Sequence, residues 1–117
     1  MKRRKQDTDR PVYLISVVSQ MLEVHPQTLR IYEREGFVTP TRVNRQRLYS
    51  ERDVERLHRI IELTRRLGVN RAGVDIILRM QGRLEGMQRE MFEMMDLLED
   101  DAKKEFERRI RIIFSKE

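Results

Sequence analysis

The apolar residues after position 16 recur at helical spacing. They lie three and four residues apart, as along one face of an α-helix, and they are Val17, Val18, Met21 and Leu22. Ser16 directly precedes them, where a hydroxyl can accept a hydrogen bond from the free N–H groups of a helix start. The pattern predicts a helix of about two turns that begins at Ser16.

A second helix start follows almost at once. His25 occupies the predicted N-cap position and Pro26 the first helical position, where the missing N–H costs nothing. Gly36 ends the pattern, so this helix is predicted over residues 26–35. Two short helices joined by so tight a connection indicate a helix-turn-helix.

The helical period disappears between Phe37 and Tyr49, and Pro40 interrupts the chain there. Val43 and Leu48 flank a polar segment, Asn44-Arg45-Gln46, that predicts a hairpin turn. Ser50 and Asp53 then form a capping signature for a third helix. Its apolar stripe, which ends at Gly68, consists of Val54, Leu57, Ile60, Ile61, Thr64 and Leu67. Asn70 predicts the cap of a fourth, shorter helix that ends near residues 80–82.

The last third of the chain has a heptad period, with apolar residues spaced three and four apart. This predicted seam begins with Leu84, Met87, Met91, Met94 and Leu98, and it continues with drift through Phe106 and Ile110. A long helix with one narrow apolar stripe cannot bury that stripe alone, so we expect a second copy of the chain to cover it. Packing back onto the third and fourth helices is the alternative. Methionines at this spacing are typical of core packing rather than of a metal site.

The composition limits the classes of protein that fit. The chain has 117 residues, of which 38% are charged and 38% hydrophobic, and it contains no cysteine. One modest core is therefore expected, with a partner contributing to stability. Disulfides, thiolate metal sites and cysteine nucleophiles are excluded. Only His25 and His58 are available for acid-base chemistry and no phosphate-binding glycine loop occurs, so we expect neither an enzyme nor a bound cofactor or metal.

The N-terminal residues 1–11 are polar and basic, and we expect them to form a disordered arm. The apolar residues from Val12 to Val18 are too few for a secretory signal, and Ser16 interrupts them. No segment approaches the apolar length of about 18 residues that a membrane-spanning helix needs. A soluble protein of the cytoplasm is therefore expected.

Positive charge is concentrated in the first two thirds of the chain. Residues 1–80 carry 17 basic and 10 acidic side chains, a net charge of +7, whereas residues 81–117 carry 8 and 10, a net charge of −2. The second predicted helix and the hairpin contribute Arg30, Arg34, Arg42, Arg45 and Arg47. Arginines on a helix and on the loop after it can reach phosphates on both sides of a DNA groove. A solvated basic face is the alternative, and the helix-turn-helix pattern argues against it.

The string HPQTLRIYEREGFVTP at residues 25–40, followed by RQRLYSERDVERL at residues 45–57, resembles the DNA-binding module of the MerR family of bacterial transcription regulators. The resemblance covers residues 13–80. Within the family, the run at residues 25–30 and the Gly68-Val69-Asn70 segment are most similar to the branch of heat-shock repressors called HspR. The glutamine-synthetase repressor branch shares part of this pattern.

The resemblance implies a mainly α fold, with a winged helix-turn-helix domain at residues 12–80 and a coiled-coil dimerisation helix at residues 81–117. It implies a homodimer on an inverted repeat in double-stranded DNA, with the second helix in the major groove. The implied contacts are Gln27 and Thr28 to base edges, Arg30 and Tyr32 to phosphates, and the wing residues Arg42, Arg45, Arg47 and Tyr49 to phosphates or the minor groove.

Several alternatives stay open. Tyr32 and Tyr49 are either phosphate contacts or core aromatics. The HspR resemblance implies a repressor of heat-shock chaperone or protease genes, with the chaperone DnaK as corepressor. A ligand-responsive activator that distorts promoter DNA is the alternative within the family. A coiled-coil adaptor or an RNA-binding protein is the alternative outside it.

Overall fold

Helices carry most of the chain in the computed structural model, which describes residues 5–115 and the side chains from residue 7 onward. The elements in chain order are α1 (Lys5–Thr8), β1 (Pro11–Leu14), α2 (Ile15–Leu22), α3 (Pro26–Arg34), β2 (Thr41–Val43), β3 (Gln46–Ser50), α4 (Glu51–Ile61), α5 (Arg71–Met95) and α6 (Asp100–Ser115). Two units divide the chain, one ending at Asp75 and the other beginning at Ile76. The predicted fold class, a winged helix-turn-helix with a long helix after it, is confirmed.

The predicted N-terminal arm, residues 1–11, includes the short helix α1. The strand β1 begins at Pro11, the last residue of that arm. Arg52 on α4 pairs with Asp9, with 3.5 Å between Nε and Oδ1. This contact connects the arm to α4, while the disorder expected for residues 1–11 stays a prediction; residues 1–4 lie outside the described part of the chain.

The helix-turn-helix forms from α2 and α3. The start of α2 differs from the prediction because β1 runs straight into it, so the N-cap is Leu14, which makes no side-chain cap bond. Ser16 instead lies inside the helix, where its carbonyl accepts a hydrogen bond from the Ser19 hydroxyl at 2.9 Å. The predicted start of α3 is confirmed, since the Nδ1 atom of His25 accepts from the backbone N–H of Gln27 at 3.0 Å.

A three-stranded antiparallel sheet, in the order β1-β3-β2, lies beside these helices. The predicted hairpin is confirmed as β2 and β3, which we call the wing. Asn44 and Arg45 both have positive φ, at 50° and 70°, as a two-residue hairpin turn of the I′ type requires. The third strand, β1, was not predicted, because it is only four residues long and its Val12 and Leu14 are exposed.

The third predicted helix starts as expected and ends differently. Ser50 and Asp53 form a reciprocal capping box, with both hydrogen bonds at 3.0 Å. After Ile61 the helix continues as a π-helical segment, Glu62–Arg66. A π-helical turn changes the side-chain register, so Leu67 leaves the predicted stripe and is 66% exposed.

The core of the first unit joins α2, α3, α4 and the sheet. Its buried apolar side chains are Val18, Val24, Leu29, Tyr32, Phe37, Val38, Tyr49, Leu57, Ile60 and Val74. The rings of Tyr32 and Phe37 pack with their centroids 6.3 Å apart. Arg56 donates from Nε to the carbonyl oxygen of Phe37 at 2.5 Å, which ties α4 to the loop after α3.

The helices of the last third have other bounds than predicted. Asn70 caps α5 as expected, through a 2.9 Å bond from the N–H of Gly73 to Oδ1. The helix does not end near residues 80–82, however, but runs without interruption to Met95. Residues 96–99 then form a turn, and α6 follows. The prediction of one continuous last helix is therefore wrong.

Charge explains where that helix stops. Asp96, Glu99, Asp100 and Asp101 cluster at the break. Carboxylates are unfavourable at the C-terminus of a helix and favourable at an N-terminus, so this cluster favours ending α5 and starting α6. No glycine or proline marks the turn, which is why the sequence pattern missed it. Leu98 lies in the turn, and Phe106 and Ile110 lie on the next helix, so the predicted seam is not one continuous stripe.

Candidate nucleic-acid interface

The outward face of α3 carries polar, charged and apolar side chains. Leu29 and Tyr32 point into the core, whereas Gln27, Ile31 and Arg34 are exposed. Arg30 and Thr28 are half-buried at the edges of this face. Side chains of these types are the ones that read base edges and hold phosphates in a major groove. The structure thus places the predicted helix residues Gln27, Thr28 and Arg30 where a ligand can reach them.

A single carboxylate connects α3 to the wing. Glu33 accepts a hydrogen bond from Nε of Arg47 at 2.5 Å and another from Nη2 of Arg42 at 3.2 Å. Arg42 and Arg47 are direct cross-strand partners in the wing. The pair of bonds fixes the wing beside the C-terminal half of α3, so the predicted helix and wing residues form one surface.

Electrostatics keep Glu33 ionised. Partial burial raises the pKa of Glu33, but the hydrogen bonds and charges of Arg47 and Arg42 outweigh that effect and hold the pKa below its usual value. The sequence analysis did not single out Glu33 as a site residue. The signal for its role was its position in a run of arginines, but spacing along the chain could not show which arginines it would meet.

Arg45 stands at the tip of the wing in a strained conformation. Its φ of 70° lies in the left-handed region, which costs a residue with a side chain about 1–2 kcal/mol. The side chain is exposed, and within residues 5–115 no hydrogen bond or ion pair engages it. The I′ turn requires this conformation, and it leaves the guanidinium of Arg45 exposed at the wing tip, where an anion can reach it.

The two predicted tyrosines lie in the core. Tyr49 has no exposed surface, and its hydroxyl lacks a hydrogen-bond partner. Burial raises the pKa of Tyr49, and the charge of Glu33 raises it further. Tyr32 is 8% exposed and its hydroxyl lies 3.2 Å from Oγ1 of Thr64. Burial of both rings in the free protein favours the core alternative for these two residues, and their phosphate contacts stay predictions.

Arg65 is a residue that the sequence analysis missed. It belongs to the π-helical segment, 37 positions after Thr28, yet its Nη2 atom lies 3.5 Å from Oγ1 of Thr28. The exposed guanidinium thus adds a positive charge beside the first turn of α3. No local pattern predicts this meeting, because it depends on how the end of α4 packs against α3.

The second unit exposes a continuous apolar face on α5, which we call the α5 stripe: Ile76, Met80, Leu84, Met87, Met91 and Met94. Most of its side chains are more than half exposed, Met94 reaching 65%. The stripe includes the predicted Leu84, Met87, Met91 and Met94 and extends two turns further toward the N-terminus. Of the predicted seam on α6, Ile110 is buried and Phe106 is 37% exposed.

Neither a metal site nor a membrane span is found in the described part of the chain. No group of three His, Asp or Glu side chains among the described residues is arranged to hold a metal ion. No helix between residues 5 and 115 combines the length and the apolar character needed to cross a membrane.

Comparison with known proteins agrees with this geometry. A family model described as MerR HTH family regulatory protein matches residues 13–81, more than half of the chain. The chain belongs to the MerR family. The match spans the helix-turn-helix, the wing, α4 and the start of α5, so it includes every residue of the candidate interface.

Two groups of curated relatives within this family match the chain, HspR and GlnR. The chain is 40% identical over 95 residues to the putative heat shock protein HspR of Streptomyces coelicolor, which covers 80% of this chain and 63% of that protein. It is 33% identical over 72 residues to the HTH-type transcriptional regulators GlnR of Bacillus anthracis and Bacillus cereus, which covers 61% of this chain and 55% of each of them. The predicted similarity to HspR is confirmed. The matched region spans less than two thirds of each curated relative.

Proposed function

We propose that the protein is a homodimeric transcriptional repressor, and not an enzyme, that binds an inverted repeat in the promoters of heat-shock chaperone or protease genes. It acts in the bacterial cytoplasm, on the nucleoid. Each protomer inserts α3 into the major groove, so the half-sites lie about one or two helical turns apart, near 10.5 or 21 base pairs.

The observation that carries this proposal is the joint surface of α3 and the wing. Gln27 and Thr28 at the start of α3 are suited to base edges, since an amide pairs with adenine and a methyl group contacts the methyl of thymine. Arg30 and the wing arginines supply phosphate contacts around them. Ile31 and Arg65, which the sequence analysis did not include, extend the surface on both sides of α3.

The α5 stripe supports the homodimer. Six apolar side chains at spacings of three and four residues form a coiled-coil face, and most of them are exposed to solvent in the single chain. A second copy of the same helix, running antiparallel, would bury them and join two copies of α3 in one dimer. The surface around Gly86, lined by Met87, Met91 and Met94, belongs to this stripe, so a second copy would cover it and leave it closed to the effector of a ligand-responsive activator.

The proposal that the chaperone DnaK is the corepressor rests on the similarity to HspR. The candidate contact region is the end of α6, where Ile112, Ile113 and Phe114 are 46%, 64% and 49% exposed. Ile110, on the same helix, is buried and so is not part of this accessible surface. An exposed apolar segment of this kind is suited to contact with another protein.

Selection from a random duplex library, with and without DnaK, tests the whole proposal. We expect enrichment of an inverted repeat that the protein binds more tightly when DnaK is present. With about four phosphates neutralised per protomer, the slope of log affinity against log salt is near −7. Arg30→Ala is expected to weaken binding at least about tenfold, whereas Arg111→Ala, an exposed arginine on α6, leaves it unchanged.

The other outcomes separate the alternatives. An inverted repeat whose binding ignores DnaK removes the chaperone from the mechanism and keeps the regulator. Distortion of promoter DNA with increased transcription identifies an activator instead of a repressor. Absence of any enriched duplex, or a preference for single strands, contradicts the proposal and favours the adaptor or RNA-binding class.

A further inference from the structure

Two arginines of the wing stand where like charges repel. Arg42 and Arg47 are directly opposite each other in the register of β2 and β3. Opposed like charges destabilise a strand pair unless another group neutralises them. Glu33 provides that group, since one of its carboxylate oxygens accepts from Arg47 and the other from Arg42. The carboxylate therefore occupies the place between the two guanidiniums that an external anion would otherwise take.

We propose that Glu33 is an internal substitute for a DNA phosphate, which holds Arg42 and Arg47 in the free protein and limits the affinity for any duplex. The proposal rests on the proposed function, because it assigns a role to Glu33 in DNA binding. Carboxylates and phosphates are both acceptors that match a guanidinium, so one can replace the other on the same arginines. Binding DNA then exchanges two intramolecular ion pairs for contacts with the backbone.

The exposure of the three side chains permits this exchange. Arg42 is 51% exposed, and Arg47 and Glu33 are each 23% exposed, so solvent and an approaching strand reach the cluster. Arg45 at the wing tip differs, because within residues 5–115 no carboxylate neutralises it. Arg45 meets DNA without giving up an internal partner, whereas Arg42 and Arg47 must release Glu33.

The exchange has a measurable signature in salt dependence. Each phosphate that a protein cation neutralises releases cations from DNA, which steepens the fall of affinity with salt. The carboxylate of Glu33 cancels part of the positive charge of the wing, so the wing neutralises less phosphate charge and releases fewer cations. Removing the charge of Glu33 is therefore expected to steepen the logarithmic salt slope by about one and to tighten binding about fivefold at moderate salt. Phosphate contacts carry no sequence information, so the gain is expected on every duplex.

The test compares Glu33→Gln with Glu35→Gln on a short duplex of mixed sequence, by fluorescence anisotropy across a salt series. Both variants remove one negative charge near the end of α3, but Glu35 pairs with Arg71, which is not a wing residue. We expect tighter binding and a steeper slope for Glu33→Gln than for Glu35→Gln. Equal behaviour of the two variants, or weaker binding by Glu33→Gln, overturns the role of Glu33 while leaving duplex binding intact. Absence of salt-dependent duplex binding by the unmodified protein overturns both this role and the proposed function.

A second comparison leaves Glu33 in place, so it tests the proposal even if the Glu33→Gln variant does not fold. Arg42→Gln and Arg45→Gln each remove one wing cation. Because Glu33 already neutralises Arg42, the Arg42 variant is expected to lose less affinity than the Arg45 variant. If Arg42→Gln loses as much duplex affinity as Arg45→Gln, or more, the proposed exchange of Glu33 for a DNA phosphate is contradicted. Thermal unfolding of each variant confirms that the folded domain is being compared.

Discussion

The two units of the chain use similar residues in different ways. Among the described residues, the first unit holds ten of the thirteen buried apolar side chains, and the second unit holds twelve of the nineteen large apolar side chains that are exposed. The first unit therefore covers its own core, whereas the second leaves its apolar face uncovered. We therefore expect a partner to contribute to the stability of the second unit.

Among the described residues, ion pairs between elements are concentrated in the first unit. Each unit has an exception, since Arg66 pairs with Glu62 four residues away in the first, and Lys103 of α6 pairs with Asp96 of the preceding turn in the second. In the first unit, Glu33 joins α3 to the wing, and Arg52 joins α4 to the N-terminal segment. In the second unit, Glu105 pairs with Arg108 and Arg109 on its own helix, and these two arginines lower the pKa of Glu105 to about 2. Pairs between elements fix tertiary structure, while pairs three and four residues apart only support a helix. The charges of the second unit thus stabilise α6 without covering its apolar side chains.

The largest effect of a substitution is expected on the free energy of unfolding, when a side chain in the core of the first unit is truncated. Leu57→Ala removes a fully buried side chain and is expected to lower the free energy of unfolding by about 2–5 kcal/mol. Leu67→Ala, at a residue 66% exposed, serves as the control and is expected to change it by less than about 0.5 kcal/mol. Urea unfolding followed by circular dichroism measures both. Similar losses for the two variants contradict the assignment of the core.

The α5 stripe is expected to determine association rather than folding. Met87→Glu combined with Met94→Glu places two charges in the apolar face and is expected to raise the dimer Kd at least about a hundredfold. Leu97→Glu is the control, because Leu97 is 85% exposed and lies beyond the end of α5. Sedimentation velocity across a concentration series reports the Kd. A dimer that survives the double substitution shows that another surface holds the protomers.

A smaller effect is expected at the tip of the wing. Arg45→Gly relieves the left-handed backbone, and after the entropy of glycine is subtracted it is expected to stabilise the domain by up to about 1 kcal/mol. The same change removes a cation and is expected to weaken duplex binding. Thermal unfolding and anisotropy measure the two effects separately. Loss of stability would mean that the side chain makes a contact stronger than the strain it costs.

The smallest effect is expected at Tyr49. Tyr49→Phe removes a buried hydroxyl that has no hydrogen-bond partner, so stability is expected to change by less than about 1 kcal/mol, toward greater stability. Duplex affinity is expected to stay the same, since the ring lies in the core. Arg30→Ala, measured in the same binding assay, shows how much affinity is lost when a proposed phosphate contact is removed. A loss of affinity in Tyr49→Phe would restore the phosphate role that the sequence left open.

The local signals in the sequence were sufficient for much of the first unit. The His25 cap, the Ser50 and Asp53 capping box and the hairpin turn depend on residues within a few positions of one another, and each was confirmed. The break after Met95 was missed because it depends on clustered carboxylates rather than on glycine or proline. The π-helical turn after Ile61 and the resulting exposure of Leu67 were missed as well, since no pattern of residues marks that change of register.

The sequence by itself determined the helix-turn-helix, the hairpin and the long apolar-striped helix, because spacing, caps and turn residues act over short distances along the chain. The MerR type followed from the resemblance of residues 25–40 and 45–57 to that family. Only the tertiary structure decided which charges meet. Glu33 finds Arg42 and Arg47 nine and fourteen positions away, and Arg65 reaches Thr28 across 37 positions. Burial of Tyr49 beneath that surface has the same origin, since the packing of separate elements sets both which side chains are enclosed and which remain free for a ligand.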